Sequence, residues 1–369
     1  MTSRKRQKTS SSRSSASLIS SFYFLPQFAP LGAPLVALPD EILLLIFELL
    51  PQSARVAMLP VCSNLHFLVA RTIYTSVRVR GLRARLFFSS IAYSTRFTTV
   101  YAPFVRRLDY SVTSPSETFL TYPVFCQALR LMGGLNKLIL SISIDHQPLL
   151  TAFRRYNILL ERFQSAEAGR LNGSSNTNLD PMTLPRLRTL RVHGSPDLTC
   201  LITNRDVEEL SLHPALDYQA FSKFCTLVQC SSRTSCLTTL SIYLAPDLDH
   251  AIILHDLADV LPNLECLSID QQRGRSLGVF EILVAPGQLL PMLKTLYIHR
   301  IHETIGMRIS TRGPFQKEVL KLLENVPFTS RLSSLQIGGF TWNVDATTYR
   351  WRVGEPGYKR SFWRPMSAW

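Results

Sequence analysis

The stretch that decides the fold is Leu261-Pro262-Asn263-Leu264-Glu265-Cys266-Leu267-Ser268-Ile269, because its frame occurs three times. The other copies are Leu184-Pro185-x-Leu187-x-x-Leu190-x-Val192 and Leu290-Pro291-x-Leu293-x-x-Leu296-x-Ile298. In each copy the last two apolar positions stand two residues apart, which places both side chains on one face of a short strand. The proline cannot continue an upstream helix, so it marks where the strand region begins.

Weaker copies keep this spacing without the proline. They are Tyr74/Val77/Val79, Val105/Leu108/Tyr110, Leu135/Leu138/Leu140, Val207/Leu210/Leu212, Leu237/Leu240/Ile242 and Leu332/Leu335/Ile337. The segments between them predict helices over Leu149–Ala168, Ala215–Val228, Leu248–Leu261 and Phe315–Val326. One such unit cannot bury its own apolar face, so we expect neighbouring units to stack with parallel strands. The predicted fold class is α/β.

The frame Leu-x-x-Leu-x-Leu resembles the leucine-rich-repeat family. That resemblance implies an irregular solenoid over residues 73–341, with parallel strands on the concave side and helices on the convex side. The positions where the family places asparagine are occupied by Ser195, Ala245, Gln272 and Ile301, so we expect irregular curvature. A turn-rich stretch predicts a surface insertion near residues 170–183.

A second informative stretch is Leu38-Pro39-Asp40-Glu41-Ile42-Leu43-Leu44-Leu45-Ile46-Phe47-Glu48-Leu49-Leu50. Proline suits the first turn of a helix, and the two acids that follow suit its dipole. The helix is apolar nearly all round, which a single buried face does not need. We therefore expect it to be buried on two sides, one of them by another protein. A second helix is predicted over Ala54–Val69.

Leu38-Pro39-x-Glu41-Ile42-x-x-x-Ile46-Phe47-x-x-Leu50-Pro51, followed by Val61-Cys62 and Ile73-Tyr74-x-Ser76-Val77, resembles an F-box of the fungal type. The resemblance covers residues 38–72 and implies docking on a Skp-family adaptor that leads to a cullin–RING ubiquitin ligase. It assigns adaptor contact to Leu38, Pro39, Ile42, Ile46, Leu50 and Val61. Two positions depart from the family: Pro60 falls inside the second helix, and Leu65 replaces an aromatic residue. The alternative is a helical cap that binds no adaptor.

The net charge of +14 is concentrated outside the main body of the chain. Residues 49–108 hold nine arginines and no acid, whereas residues 109–349 hold 21 basic and 22 acidic residues. A neutral body argues against a general polyanion binder. The arginine band is interpreted as a solvated face or, alternatively, as a contact for an acidic adaptor surface or a phosphorylated target.

The two ends of the chain differ from the body in composition. Residues 1–37 are basic and serine-rich, which predicts a disordered tail, with nuclear or organelle targeting as alternatives. Residues 342–369 contain all four tryptophans among basic residues. A hairpin over Phe340–Val353 that caps the solenoid is the first interpretation, and a tail that binds nucleic acid by stacking is the second.

The sequence contains no catalytic motif that we can complete and no zinc-ligand spacing, so no enzyme, metal or cofactor is predicted. Seven cysteines without pairing patterns predict reduced thiols and a cytoplasmic or nuclear location. No apolar run is long enough to span a membrane.

Polar residues recur at two strand positions that point away from the predicted core. Those between the buried pair include Arg191, Ser211, Ser241, Ser268, Tyr297 and Gln336, and those after it are His193, His213, Tyr243, Asp270 and His299. Such a column could recognise a target protein, although exposed strand positions are polar in any case. The predicted function is therefore substrate recruitment for an SCF-type ubiquitin ligase. The alternatives are a scaffold whose F-box no longer binds an adaptor, and a nucleic-acid-binding solenoid.

Overall fold

The structure is a computed structural model. It describes residues 38–114, 118–143, 145–159, 183–229, 236–246, 248–271, 289–299, 312–324, 331–337, 340–345 and 347–354. The chain divides into two compact units between Ile73 and Tyr74.

The described part of the first unit is helical. Its helices are α1 (Asp40–Leu49), α2 (Gln52–Met58) and α3 (Ser63–Thr75), the last of which ends just beyond the boundary. Asp40 and Glu41 lie in the first turn of α1, where the helix dipole favours negative charge. A small core forms where Leu43 and Phe47 of α1 meet Leu65, Leu68 and Val69 of α3.

The single helix predicted over Ala54–Val69 is wrong, because the chain forms α2 and α3 with a turn between them. Pro60 lies in this turn. Proline has no N–H to donate, and its ring collides with the preceding helical turn. Leu65, which departs from the F-box pattern, is 3% exposed and therefore a core residue.

The second unit contains an 11-stranded sheet within the described residues, with its strands hydrogen-bonded in chain order. Neighbours from β1 to β9 are parallel, as the repeats predict. Their bounds are β1 (Ser76–Arg80), β2 (Arg107–Val112), β3 (Lys137–Ile142), β4 (Thr189–His193), β5 (Glu209–Leu216), β6 (Thr239–Leu244), β7 (Cys266–Gln271), β8 (Thr295–His299) and β9 (Ser334–Ile337). The fold class α/β is confirmed.

The middle apolar positions of the nine repeats pair with one another from strand to strand. They form one row, Val77–Leu108–Leu138–Leu190–Leu210–Leu240–Leu267–Leu296–Leu335. All eight leucines of the row are fully buried, at 0% exposure. In the three copies with proline, the first leucine accepts the N–H of the residue three positions later, which makes a turn with proline at its second position. The strand begins only after this turn.

Helices of the second unit lie between the strands in sequence. They are α4 (Gly81–Tyr93), α5 (Thr118–Leu131), α6 (Gln147–Arg155), α7 (Tyr218–Gln229), α8 (His250–Val260) and α9 (Arg312–Leu323). The sequence did not predict α4 and α5. The helix predicted from Ala215 begins later, because Ala215 and Leu216 extend β5 and pair with β6. The insertion predicted near 170–183 lies outside the described residues except for Thr183.

The last two strands of the sheet are β10 (Phe340–Val344) and β11 (Trp351–Val353), which pair antiparallel. Strand β10 also pairs antiparallel with β9. This is the hairpin that the alternation predicts. Trp342 is fully buried in the main core, and Trp351 packs against it. Trp363 and Trp369 lie outside the described residues, so the predicted basic and aromatic tail stays a prediction.

A buried side-chain amide bonds the backbone of the neighbouring repeat. Gln271, which is 5% exposed, donates from Nε2 to the carbonyl oxygens of Ala245 (2.9 Å) and Leu248 (3.1 Å). Two of the predicted asparagine-equivalent positions, Gln272 and Ile301, lie outside the described residues. Ser195 instead accepts the N–H of Asp197 and begins a short 3₁₀ helix, Pro196–Ile202.

A buried guanidinium joins three separate chain segments. Arg205 is 6% exposed and donates to the carbonyl oxygens of Ile158 (2.6 Å), Thr183 (3.1 Å) and Leu201 (2.6 Å). Burial lowers the pKa of Arg205 to about 10, so the side chain stays charged at neutral pH. Backbone carbonyls thus solvate this charge in place of water.

We expect Arg205→Met to lower the free energy of unfolding by about 2–4 kcal/mol, because three carbonyls lose a charged donor. Chemical denaturation of the full chain measures this. Arg186→Met is the matched control, since Arg186 is exposed, and its change should stay within about 0.5 kcal/mol. Equal effects of the two substitutions would contradict the role given to Arg205.

Candidate binding surfaces

Helix α1 presents an apolar stripe to solvent opposite its core residues. Leu38 is 37%, Ile42 44%, Leu45 58% and Leu49 87% exposed. On a helical wheel of 100° per residue Ile42, Leu45 and Leu49 fall within about 60° of one another, and Leu38 lies just before the first turn. The three helical positions follow one another at three and four residues, which is the spacing of a helix-packing seam. We call these four residues the α1 seam.

The structure places the six predicted adaptor residues in different surroundings. Leu38 and Ile42 lie on the α1 seam, and Pro39 and Val61 are exposed next to helices. Ile46 and Leu50 are partly buried and pack against the small core. Sequence reasoning missed Leu45 and Leu49, although the spacing from Leu38 and Ile42 could have identified them. Two further exposed apolar residues of this unit are Val56 and Phe67.

Polar contacts fix α1 relative to the helices that follow. Arg55 of α2 donates from Nε to the carbonyl oxygen of Leu50 (2.9 Å) and from Nη2 to that of Glu48 (2.9 Å). These bonds satisfy carbonyls that the end of α1 leaves without helical partners. His66 of α3 bonds through Nδ1 to the carbonyl oxygen of Leu59 (3.0 Å). The helix that carries the α1 seam is therefore held at its C-terminal end by hydrogen bonds from α2.

The second surface is the face of the sheet whose residues alternate with the buried row, and we call it the open face. Its central row pairs in register as Arg191–Ser211–Ser241–Ser268–Tyr297–Gln336. This is the alignment that the repeat frame predicts. Three successive serines make this part of the row small and uncharged, with Tyr297 beside them.

The predicted outer column is interrupted at one place. Tyr243 pairs with Asp270, and Asp270 pairs with His299, as expected. Tyr243 does not pair with His213, however, but with Ala215, because the register shifts between Leu212 and Ala215. His213 and Pro214 are the extra residues, and Pro214 has no N–H for the ladder. The expected continuous column is therefore wrong at β5.

His213 contacts His193 on the other neighbouring strand, β4, instead of Tyr243. The two imidazole rings stack with centroids 3.7 Å apart and planes 17° from parallel. Burial lowers the pKa of His213 to about 3, helped by the positive charges of His193 and Arg191. Burial also lowers the pKa of His193, and the repulsion of Arg191 adds to this while Asp109 opposes it. Both rings are neutral at pH 7, so each combines one N–H donor with one acceptor.

Charges on the open face are concentrated on β1 to β5. Arg78 bonds to the buried Asp109 (2.9 Å), and Arg191 bonds to Glu209 (2.6 Å). Arg107 and Lys137 pair directly across β2 and β3. Burial lowers the pKa of Lys137, and Arg191 and Arg107 lower it further while Glu209 raises it. This half of the open face therefore carries a surplus of positive charge.

The other half of the open face, on β6 to β9, is polar and nearly uncharged. Ser268 and His299 share a hydrogen bond of 3.1 Å, and the rings of Tyr297 and His299 lie 6.2 Å apart and nearly parallel. Asp270 is 2% exposed. Hydroxyl and imidazole groups of this kind suit hydrogen bonds to peptide groups of a partner.

The structure gives no support for a metal or nucleophile site among the described residues. They contain no group of three or more His, Cys, Asp or Glu side chains placed to hold a metal ion. The six described cysteines are free thiols, and burial raises the pKa of Cys126 to about 12, which suppresses its thiolate. Asp197 of the 3₁₀ helix accepts hydrogen bonds from His146 (2.9 Å), at the start of α6, and from Lys223 (2.5 Å) of α7, so this polar cluster connects three helices. No described helix is long and apolar enough to cross a bilayer.

The histidine pair predicts a pH dependence of stability. Since the folded pKa of His213 is about 3 and the unfolded value is 6.5, the unfolded chain binds more protons between these values. Stability contributed by neutral His213 is present above pH 6.5 and is lost as pH falls towards 3. Urea denaturation between pH 7 and 4.5 should show a flatter profile for His213→Gln than for the wild type. The uptake of one full proton on unfolding would give a slope of about 1.4 kcal/mol per pH unit. We expect a smaller slope for the wild type, because solvent screens the histidine pair.

His255 supplies the control, because it is an exposed histidine on α8. His255→Gln should keep the wild-type profile. A His213→Gln profile identical to that of the wild type would contradict the neutral stacked pair.

Comparisons with known proteins give no family. No family model matches the sequence, and no curated protein matches it. Among solved structures, a Bacteroides fragilis protein from a structural-genomics programme is similar over 67% of this chain and 70% of its own. It shares 14% sequence identity, and the TM-score is 0.34. A similarity this weak carries no argument about this chain.

Proposed function

We propose that this chain is the substrate-recruiting subunit of an SCF-type ubiquitin ligase. In this proposal the first unit is an F-box that binds a Skp-family adaptor, and the second is a degenerate leucine-rich-repeat solenoid that binds a target protein. The chain recruits and positions the target, while a cullin–RING ligase joined through the adaptor supplies the chemistry.

The observation that carries the proposal is the α1 seam. Three large apolar side chains at seam spacing lie on the solvent side of a helix whose other side is already in a core, and Leu38 is exposed just before the first turn. Burying one such side chain stabilises a complex by about 1.5–3 kcal/mol, so leaving four exposed is costly unless a partner covers them. The Leu38-Pro39-x-Glu41-Ile42 opening of this helix is what an F-box uses, by resemblance, at its adaptor contact.

The open face supports the second half of the proposal. A recruiting subunit needs a surface that can distinguish one protein from others, and a sheet face lined by serine, histidine and tyrosine provides many fixed hydrogen-bonding groups. Its strands are held by a continuous buried row, so the groups are positioned before a target arrives. We propose that Arg191, His193, His213, Tyr243, Tyr297 and His299 contact the target. Asp270, which the sequence also predicts as a contact, is 2% exposed and too buried for this role.

Adaptor binding is tested by co-expression with a Skp-family adaptor and co-purification. Leu45→Asp should weaken the complex at least tenfold, approximately, because it places a charge at the centre of the α1 seam. Since Leu45 is exposed, the melting temperature of the Leu45→Asp variant should equal that of the wild type. Glu48→Gln, also on α1 but off the seam, is the control and should bind as the wild type does.

Failure of the wild-type chain to bring down an adaptor would remove the ligase proposal and leave the scaffold alternative. Full binding by Leu45→Asp would place the adaptor contact elsewhere.

Target binding is tested by quantifying the proteins captured by the chain–adaptor complex. The double variant His213→Ala/Tyr243→Ala should lose target capture and keep the adaptor, because it removes hydrogen-bonding groups on both sides of the register shift. Tyr218→Ala, at the exposed start of α7, is the control and should capture the same proteins as the wild type. If the double variant captures the same proteins as the wild type, this part of the open face does not bind the target.

A further inference from the structure

Helix α4 is apolar on two opposite sides. One side enters the main core through Ala84, Phe88 and Ile91. On the other side Leu82 is 67%, Leu86 60% and Tyr93 66% exposed. At 100° per residue, these three positions fall within about 40° of one another and roughly opposite the core residues. We call them the α4 seam.

The spacing of the α4 seam is that of a helix that packs against a second helix. Leu82, Leu86, Ser89 and Tyr93 follow one another at four, three and four residues, as the a and d positions of a heptad do. Ser89, which lies between the seam residues Leu86 and Tyr93, is small enough to let a partner approach. A seam of this length, about 17 Å, matches three turns of helix.

Charges at the borders of the seam define the partner's chemistry. Arg83 and Arg85 are exposed and occupy the e and g positions beside the seam, where charge pairs determine which helices associate. Within the part of the chain that the structure describes, neither guanidinium takes part in an ion pair. The helix itself contains no acid, and residues 49–108 contain none either.

This arrangement disfavours a second copy of the chain as the occupant. A parallel pair of α4 helices would gather the four arginines at one end, and an antiparallel pair would leave them without acidic partners, because the helix contains no acid. A partner with glutamate or aspartate at its flanking positions would instead form two ion pairs around an apolar contact. Heptad spacing would serve no purpose on a surface that contacted only lipid.

We propose that the outer side of α4 is a docking site for one acidic amphipathic helix of a partner protein. The site uses Leu82, Leu86 and Tyr93 for apolar contact, and Arg83 and Arg85 for charge selection. It lies on a different element from the α1 seam and on the helix side of the second unit rather than the open face. It is thus an addition to the proposed adaptor and target contacts and does not depend on them.

The test uses the full-length chain and two three-heptad helical peptides with leucine at their seam positions. One peptide carries glutamate at the flanking positions and the other carries lysine. Fluorescence anisotropy should show that the wild-type chain binds the glutamate peptide at least tenfold more tightly, approximately, than the lysine peptide. The double variant Arg83→Glu/Arg85→Glu should reverse this preference, and Leu86→Asp should bind neither peptide.

Control variants separate this site from the proposed function. Leu45→Asp should bind the glutamate peptide as the wild type does, and Leu86→Asp should still co-purify with the adaptor. Absence of peptide binding by the wild type, or a preference that charge reversal leaves unchanged, would overturn the proposal. So would Leu86-dependent binding to phosphatidylserine vesicles alone, which would assign the surface to a membrane.

Discussion

The structure of the second unit depends on the lateral alignment of one row of buried leucines. A parallel strand of five or six residues has too little apolar surface to be stable alone, and each strand here buries only two or three side chains on one face. Pairing in chain order places leucine beside leucine from Leu108 to Leu335 and removes the whole row from water. A slip of one residue would turn the row outward, so burial and register enforce each other.

The same alignment organises the surface. Because side chains alternate across a strand, residues on either side of the buried leucine are brought into rows on the open face. The serine row and the Tyr243–Asp270–His299 alignment are consequences of the buried register. Where the register shifts at Pro214, the outer column is interrupted and His213 stacks on His193 instead. Any specificity of the open face for a partner would therefore be sensitive to this irregularity.

Helices α1 and α4, one in each unit, have the same kind of surface. Each has a core side and, opposite it, exposed apolar residues at the spacing of a helix-packing seam. The residues flanking them differ in charge, since Glu41 and Glu48 lie on α1 whereas Arg83 and Arg85 lie on α4. Two such surfaces with different chemistry are suited to different partners, which is what a protein that brings other proteins together requires.

Much of the fold could be predicted because its signals are periodic. The Leu-x-x-Leu-x-Leu frame fixed the strand positions, their parallel order and the central open-face row, since a two-residue period has only one register that buries leucine. The helices α4 and α5 were missed because their apolar residues surround the helix on both sides, which weakens the one-sided pattern that periodicity detects. The sequence predicts one helix over Ala54–Val69 where the chain forms α2 and α3, because the apolar spacing continues through Pro60.

The amino-acid sequence by itself determined the α/β class, the buried leucine row and the apolar character of the first helix. Only the tertiary structure decided that Leu45 and Leu49 are exposed while Ile46 and Leu50 are partly buried, because α3 selects which side of α1 it covers. Likewise, His193 and His213 stack from adjacent strands. Arg205 reaches the carbonyls of Thr183 and Ile158, which are 22 and 47 positions away in the chain. Contacts of this kind leave no periodic trace in the sequence, since they depend on how separate elements meet.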